Sequence, residues 1–331
     1  MSFTRREFLL ACAGGIVLGV GGSFLWQEFK ARSWDERTFI AKVTEYRRDL
    51  SRVIRAGFRE LGLTPAEIRG KRVLLKPNLV ETSRGMDHIN THPLVVRGAV
   101  EAFLAWGAAR ITVAEGPGHI TDTLRVLEES GLQEVLREDR IPFIDVNYED
   151  VFTAANAGGV SRLSTLSLPV CLKEADWIVS LAKLKTHHWS GVTLSMKNLF
   201  GLMPGSIYGW PKNPLHWAGI DECILDITAT ARPHFAIVDG IIGMEGDGPI
   251  MGDPKHAGVL IMGRNLPAVD ATSARIMGVN PHRIRYLSRA EMSLGPIRTS
   301  RITQVGEPLA AVRTPFRLLE QIPAQRGLRE G

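Results

Sequence analysis

Arg72-Val73-Leu74-Leu75-Lys76-Pro77-Asn78, then Pro93 through Trp106, then Arg110-Ile111-Thr112-Val113-Ala114-Glu115 decide the fold of this chain. The first run is short and apolar and is stopped by Pro77-Asn78, as a buried strand is. Pro93 opens an apolar helix and Gly107 closes it. The second strand ends at Glu115-Gly116-Pro117-Gly118, and a helical stretch over 121–137 and a strand near Pro142–Val146 follow. This β-α-β-α-β rhythm predicts an α/β fold: a mostly parallel central sheet with helices on both faces.

Upstream, residues 27–38 are a polar linker. Residues 39–62 read as one helix, with Val43, Leu50, Val53, Ile54, Phe58 and Leu61 at helical spacing. Downstream, residues 150–170 alternate around Gly158-Gly159 and predict a hairpin. Strands are expected at Trp177–Leu181, Phe235–Val238 and Val259–Met262, and helices over 192–200, 216–231, 267–277 and 282–293. The α/β domain spans 39–310, and residues 311–331 read as a peripheral tail. Two lobes meeting near 150–176 and one composite domain both fit this pattern.

With 331 residues, 44% of them apolar, the chain can bury one large or two modest cores. The net charge of +5 is not gathered into a basic run interleaved with aromatics, which argues against a nucleic-acid partner. The three cysteines, Cys12, Cys171 and Cys223, contain no C-x-x-C, which excludes a self-contained iron–sulfur cluster or thiolate zinc site. Cys171 and Cys223 are expected as buried thiols, with a disulfide as the alternative. Thr4-Arg5-Arg6-Glu7-Phe8-Leu9, followed by an apolar glycine-rich stretch to Trp26, predicts a twin-arginine export signal over residues 1–38. The expected location is periplasmic or otherwise extracytoplasmic. No A-x-A site follows Trp26, so the segment is a candidate membrane anchor and the only expected membrane contact.

Charged groups recur where apolar runs end, which is where α/β proteins bind ligands. Lys76 and Asn78 close the first strand. His92 stands at the start of a helix whose N-terminus suits an anion. Glu115 is held between a strand and two glycines. Lys183, Lys185 and His187 share one side of an extended chain, and Lys197-Asn198 follow in the next helical segment. His216 opens a helix after the glycine- and proline-rich loop 201–214, a candidate lid. Asp239 and Glu245 lie among glycines after another strand, and Asp270 is either a helix-dipole partner or a buried site acid.

Taken in order, LLKPN, the Thr91-His92-Pro93 helix start, VAEGP, KLKTH, LSMKNLFG, VDGIIGMEGDGP and AVDA resemble the family called domain of unknown function 362, over roughly residues 70–295. Many members carry a ferredoxin segment, which this chain lacks; others are exported by the twin-arginine route. The resemblance implies a common site built from Lys76, Asn78, Glu115, Lys183, Lys185, His187, Lys197, Asn198, Asp239, Glu245 and Asp270, and supplies no reaction. The residues suggest an exported enzyme of hydrolase or isomerase type acting on an anionic small molecule. Lys183, Lys185, Lys197 and Glu245 are its candidate catalytic groups, and Lys76, Asn78, His92, Glu115, Asn198 and Asp270 its candidate ligand-binding groups. His187, His216 and Asp239 are candidate ligands of a divalent metal. The alternative is a non-catalytic cofactor- or metal-binding accessory protein for an extracytoplasmic oxidoreductase.

Overall fold

The computed structural model describes residues 35–329, apart from 83, 120 and 121. The expected export signal and Cys12 fall on residues outside the described ones. A single sheet runs in the order β11-β1-β10-β9-β7-β2-β3-β4. Its strands are β1 Glu36–Lys42, β2 Arg72–Pro77, β3 Arg110–Glu115, β4 Phe143–Asp145, β7 Trp177–His187, β9 Phe235–Glu245, β10 Asp253–Gly263 and β11 Ile302–Gly306. The short β8, Gly191–Thr193, turns back onto β7, and β5 Val151–Ala155 and β6 Thr165–Pro169 form a separate antiparallel hairpin. The sheet is mostly parallel; β10 runs antiparallel to both β9 and β1.

Among the described residues, four helices of eleven residues or more cover it: α1 Leu50–Glu60, α2 Pro93–Ala105, α3 Ile220–Ala231 and α4 Leu266–Ile276. Strand side chains alternate between two cores. Val73, Leu75, Val113, Val179, Phe235 and Ile237 pack against α1 and α2, while Leu74, Ile178, Ala236, Val238 and Ile261 pack against α3 and α4. Burial on both faces explains why the central strands read as unbroken apolar runs rather than as alternation. Cys171 and Cys223 are buried free thiols. No helix among the described residues is long and apolar enough to cross a membrane.

Several local expectations change; β9, for one, runs on through Asp239 to Glu245 rather than ending before them, carried by its pairing with β10. Residues 39–62 are not one helix: Phe39, Ile40 and Ala41 belong to β1, between β10 and β11, and the helix begins at Leu50. An apolar run this short fits either period, and sheet pairing decides it. Residues 192–200 split into β8 and a single helical turn, Ser195–Asn198, continued as a 3₁₀ turn. The helix over 216–231 breaks at Gly219, whose φ of 104° leaves the helical region.

From β2 the chain steps to β3 and β4 on one side and returns on the other as β7 and β9. The order therefore reverses between β2 and β7, and a crevice opens beyond their carboxyl ends. β7 continues from Leu181, opposite Pro77, out to His187, and every one of its residues is buried.

Candidate functional site

A cavity of about 160 Å³ lies at this crevice. Its walls include Lys76 and Asn78 from the end of β2, Glu115 from the end of β3, His187 from β7, and Lys197 and Asn198 from the turn Ser195–Asn198. The loop after that turn contributes Gly201, Pro211 and Lys212, and His216 and Trp189 close the far side. Among the described residues, three lysines and four histidines border the cavity, against one carboxylate, Glu115.

That carboxylate is already committed. Glu115 Oε2 accepts from the Lys76 ammonium, and Oε1 accepts from the Gly116 N–H at 2.9 Å. Lys76 also donates to the Pro77 carbonyl at 2.6 Å and to Asn198 Oδ1 at 2.8 Å, which uses all three of its N–H groups. Asn198 is fixed in turn through Nδ2 to the Lys76 carbonyl and to Ser180 Oγ. Asn78 donates to Asn198 at 3.3 Å, and its own Oδ1 is buried without a hydrogen-bond partner among the described residues.

The other two lysines have no carboxylate. Lys212 donates to the Gly116 and Phe200 carbonyls at 2.7 and 3.0 Å, which leaves one N–H. Lys197 makes no hydrogen bond or ion pair with another described residue; its Nζ lies 4.1 Å from the centre of the Phe200 ring. Burial pushes both amines down to about 7. Burial, reinforced by the Lys197 charge, also lowers His216 to about 4 and His187 well below the usual imidazole range. Both rings are therefore neutral near pH 7. His187 Nδ1 accepts from the Trp189 N–H at 3.0 Å, so its proton sits on Nε2 as a donor. His216 Nδ1 is buried without a partner among the described residues.

Six other candidates, Lys183, Lys185, His92, Asp239, Glu245 and Asp270, do not border the cavity. Asp239 is fully buried against Lys183, at 2.8 Å, and also accepts from Tyr46 and from the His92 N–H. His92 caps α2 through Nδ1 and stacks on Tyr46 at 3.7 Å. Lys185 donates to the carbonyls of Ile89 and Pro249 and so ties together two loops beside the cavity. Asp270, on α4, accepts from the N–H groups of Ser195 and Met196 and caps the turn that carries Lys197; burial pushes its carboxyl up to about 7. Glu245 pairs with Lys255 at 3.1 Å and accepts from the Arg317 N–H, away from the cavity.

The expected metal set of His187, His216 and Asp239 is therefore split between two clusters. Among the described residues, no three His, Cys, Asp or Glu side chains group closely enough to hold a metal ion. A metal on His187 Nε2 would also need Nδ1 as a donor, whereas Nδ1 accepts here. Sequence reasoning missed Lys212, whose only local signals are its place in the 201–214 loop and a left-handed φ of 68°.

An α/β protein with a cationic cavity at its topological switch point is the class this geometry defines. The profile of the family described as Domain of unknown function (DUF362) matches residues 73–275, more than half of the chain, and the chain belongs to that family. The thylakoid-associated protein sll1697 of Synechocystis sp. is 29% identical over 269 residues, covering 78% of this chain and 80% of that protein. A crystal structure of a Thermotoga maritima protein, 13% identical, aligns with a TM-score of 0.35 over 68% of this chain and 57% of that one, too distant to carry an argument.

Proposed function

We propose that this protein binds a small anionic molecule in the cavity and acts on it as an enzyme. The observation that carries this reading is the charge imbalance. Lys197 and Lys212 face the cavity, and its one carboxylate, Glu115, is held by Lys76. Buried cations without counter-ions destabilise a fold, and an anionic ligand removes that cost. Three N–H groups of Lys197, one of Lys212 and the His187 Nε2–H are available as donors, a set suited to a carboxylate or phosphate. The twin-arginine pattern at Arg5-Arg6 supports action outside the cytoplasm, and the thylakoid association of the Synechocystis relative is compatible with that.

Titration calorimetry with phosphate, oxalate, pyruvate and glyoxylate tests this reading. Saturable binding that weakens by about tenfold or more in Lys197→Met is expected, since a charge-assisted hydrogen bond is worth about 1.5–3 kcal/mol. Absence of saturable binding across the panel overturns the reading.

A further inference from the structure

We propose that Lys197 is an imine-forming lysine, whose amine adds to the carbonyl carbon of a small 2-oxo carboxylic acid held in the cavity. This inference rests on the anion-binding reading and names its substrate class.

Among the described residues, four lysines are buried around this end of the sheet and a fifth, Lys197, is half-buried; the four buried ones are tied down. Lys76 spends all three donors on acceptors, Lys183 is paired with Asp239 and Tyr46, Lys185 holds two carbonyls, and Lys212 holds two more. Lys197 alone has nothing to donate to among the described residues, and its Nζ rests on an aromatic face beside the cavity. Its backbone is immobilised: the Asp270 carboxylate caps the turn in front of it, and Asn198, the next residue, is bound on both ends. A nucleophilic amine needs its lone pair unprotonated and unobstructed, and this amine, lowered to about 7, has a substantial neutral fraction at neutral pH.

The rest of the cavity matches an oxo acid. The remaining Lys212 N–H and the His187 Nε2–H suit its carboxylate. Asn78 Oδ1, a buried acceptor, and His216 Nδ1, which accepts or donates according to tautomer, both lack partners among the described residues and suit the hydroxyl and the water that the addition produces. In the reaction the nitrogen lone pair forms the C–N bond as the carbonyl π pair moves to oxygen. A proton passes from nitrogen to that oxygen. The carbinolamine then loses water and leaves the C=N bond. Amine and carbonyl give imine and one water, with no oxidant or reductant.

The experiment incubates the full chain with glyoxylate or pyruvate and cyanoborohydride, which reduces an imine to a stable secondary amine. Intact-mass measurement and peptide mapping follow, with calorimetry of the same acids run in parallel without reductant. One adduct per chain is expected, at Lys197, labelled about tenfold more than any other lysine. It is absent in Lys197→Arg and Lys197→Met and suppressed by excess oxalate, which has no ketone or aldehyde. If both acids bind saturably and Lys197 is not labelled, or label spreads over the lysines without preference, imine formation is overturned and anion binding stands. If neither acid nor oxalate binds, the anion-binding reading fails and this inference with it. Circular dichroism of Lys197→Arg and Lys197→Met distinguishes loss of the amine from loss of the fold.

Discussion

Asp239→Asn isolates what a buried carboxylate does in this fold. Asp239 is fully buried and accepts from four donors: Lys183 Nζ at 2.8 Å, Tyr46 OH at 3.1 Å, the His92 N–H at 3.1 Å and the Ile241 N–H at 3.2 Å. The Lys183 and His92 donors address Oδ2, and the Ile241 N–H addresses Oδ1. An asparagine therefore turns its NH₂ toward a donor in either orientation, and Lys183 loses its counter-ion. Breaking a buried pair costs about 3–5 kcal/mol. Burial already lowers the Lys183 amine, so deprotonation relieves part of this, and about 3 kcal/mol is expected at pH 7. At about 2–4 °C per kcal/mol, the melting temperature falls by about 6–12 °C. The sign of the pH dependence follows from linkage. Without Asp239 the folded lysine holds its proton less tightly than the unfolded one, so the variant regains stability as pH rises toward the free-lysine range. Urea unfolding of wild type, Asp239→Asn, Lys183→Met and the double variant from pH 6 to 9.5 measures this. A loss below about 1 kcal/mol at pH 7 would refute the reasoning, as would a double variant whose loss is the sum of the two single losses.

Lys197→Met should do the opposite to stability. It removes a cation that lacks a counter-ion, so the melting temperature rises while anion binding falls. The folded amine titrates near 7 and an unfolded lysine near 10.4. The stabilisation is therefore greatest below pH 7 and fades toward pH 10, as scanning calorimetry across that range would show. Gly201→Ala should damage the site through sterics alone, because its added methyl would stand against Glu115 Oε1 and 2.6 Å from the Lys76 ammonium. A loss of about 1–3 kcal/mol with weakened anion binding is expected, and an unchanged affinity would show that the Lys76–Glu115 pair does not shape the cavity.

The central strands were legible because physics writes them locally. A parallel strand buried on both faces reads as a short apolar run, and Pro77 and Gly116 stop or follow such runs, whereas β9 continues past Gly240 to Glu245. Strand β1 was not legible, since Phe39-Ile40-Ala41 satisfies a helical period as well as a strand's and only its pairing with β10 and β11 resolves it. Nor does a run such as Val259–Met262 encode direction, which here is set by the hairpin from Glu245 to Asp253. The tail shows no period, yet Phe316 is fully buried and Gln325 donates to the Gly246 carbonyl at 2.8 Å.

The candidate site divides on the same principle. Residue type and position at or beyond a strand end marked Lys76, Glu115 and His187, and Lys197 stood out in the helical segment that follows. Which of the charges remain available to a ligand is decided by partners far off in sequence. Asp239 meets Lys183 across 56 residues, Asp270 meets Ser195 across 75, and Glu115 meets Lys76 across 39. With 40 basic and 35 acidic residues, the chain is close to balanced. The cavity is not, because folding assigns Glu115 and Asp239 to lysines and Asp270 to a helical turn, and leaves Lys197 and Lys212 without a paired carboxylate among the described residues. An excess of cations made by tertiary pairing has no signature in composition or spacing. Nothing in the sequence beyond its place in the 201–214 loop therefore marks Lys212, and Lys185, the more conspicuous residue in KLKTH, is a tether between loops.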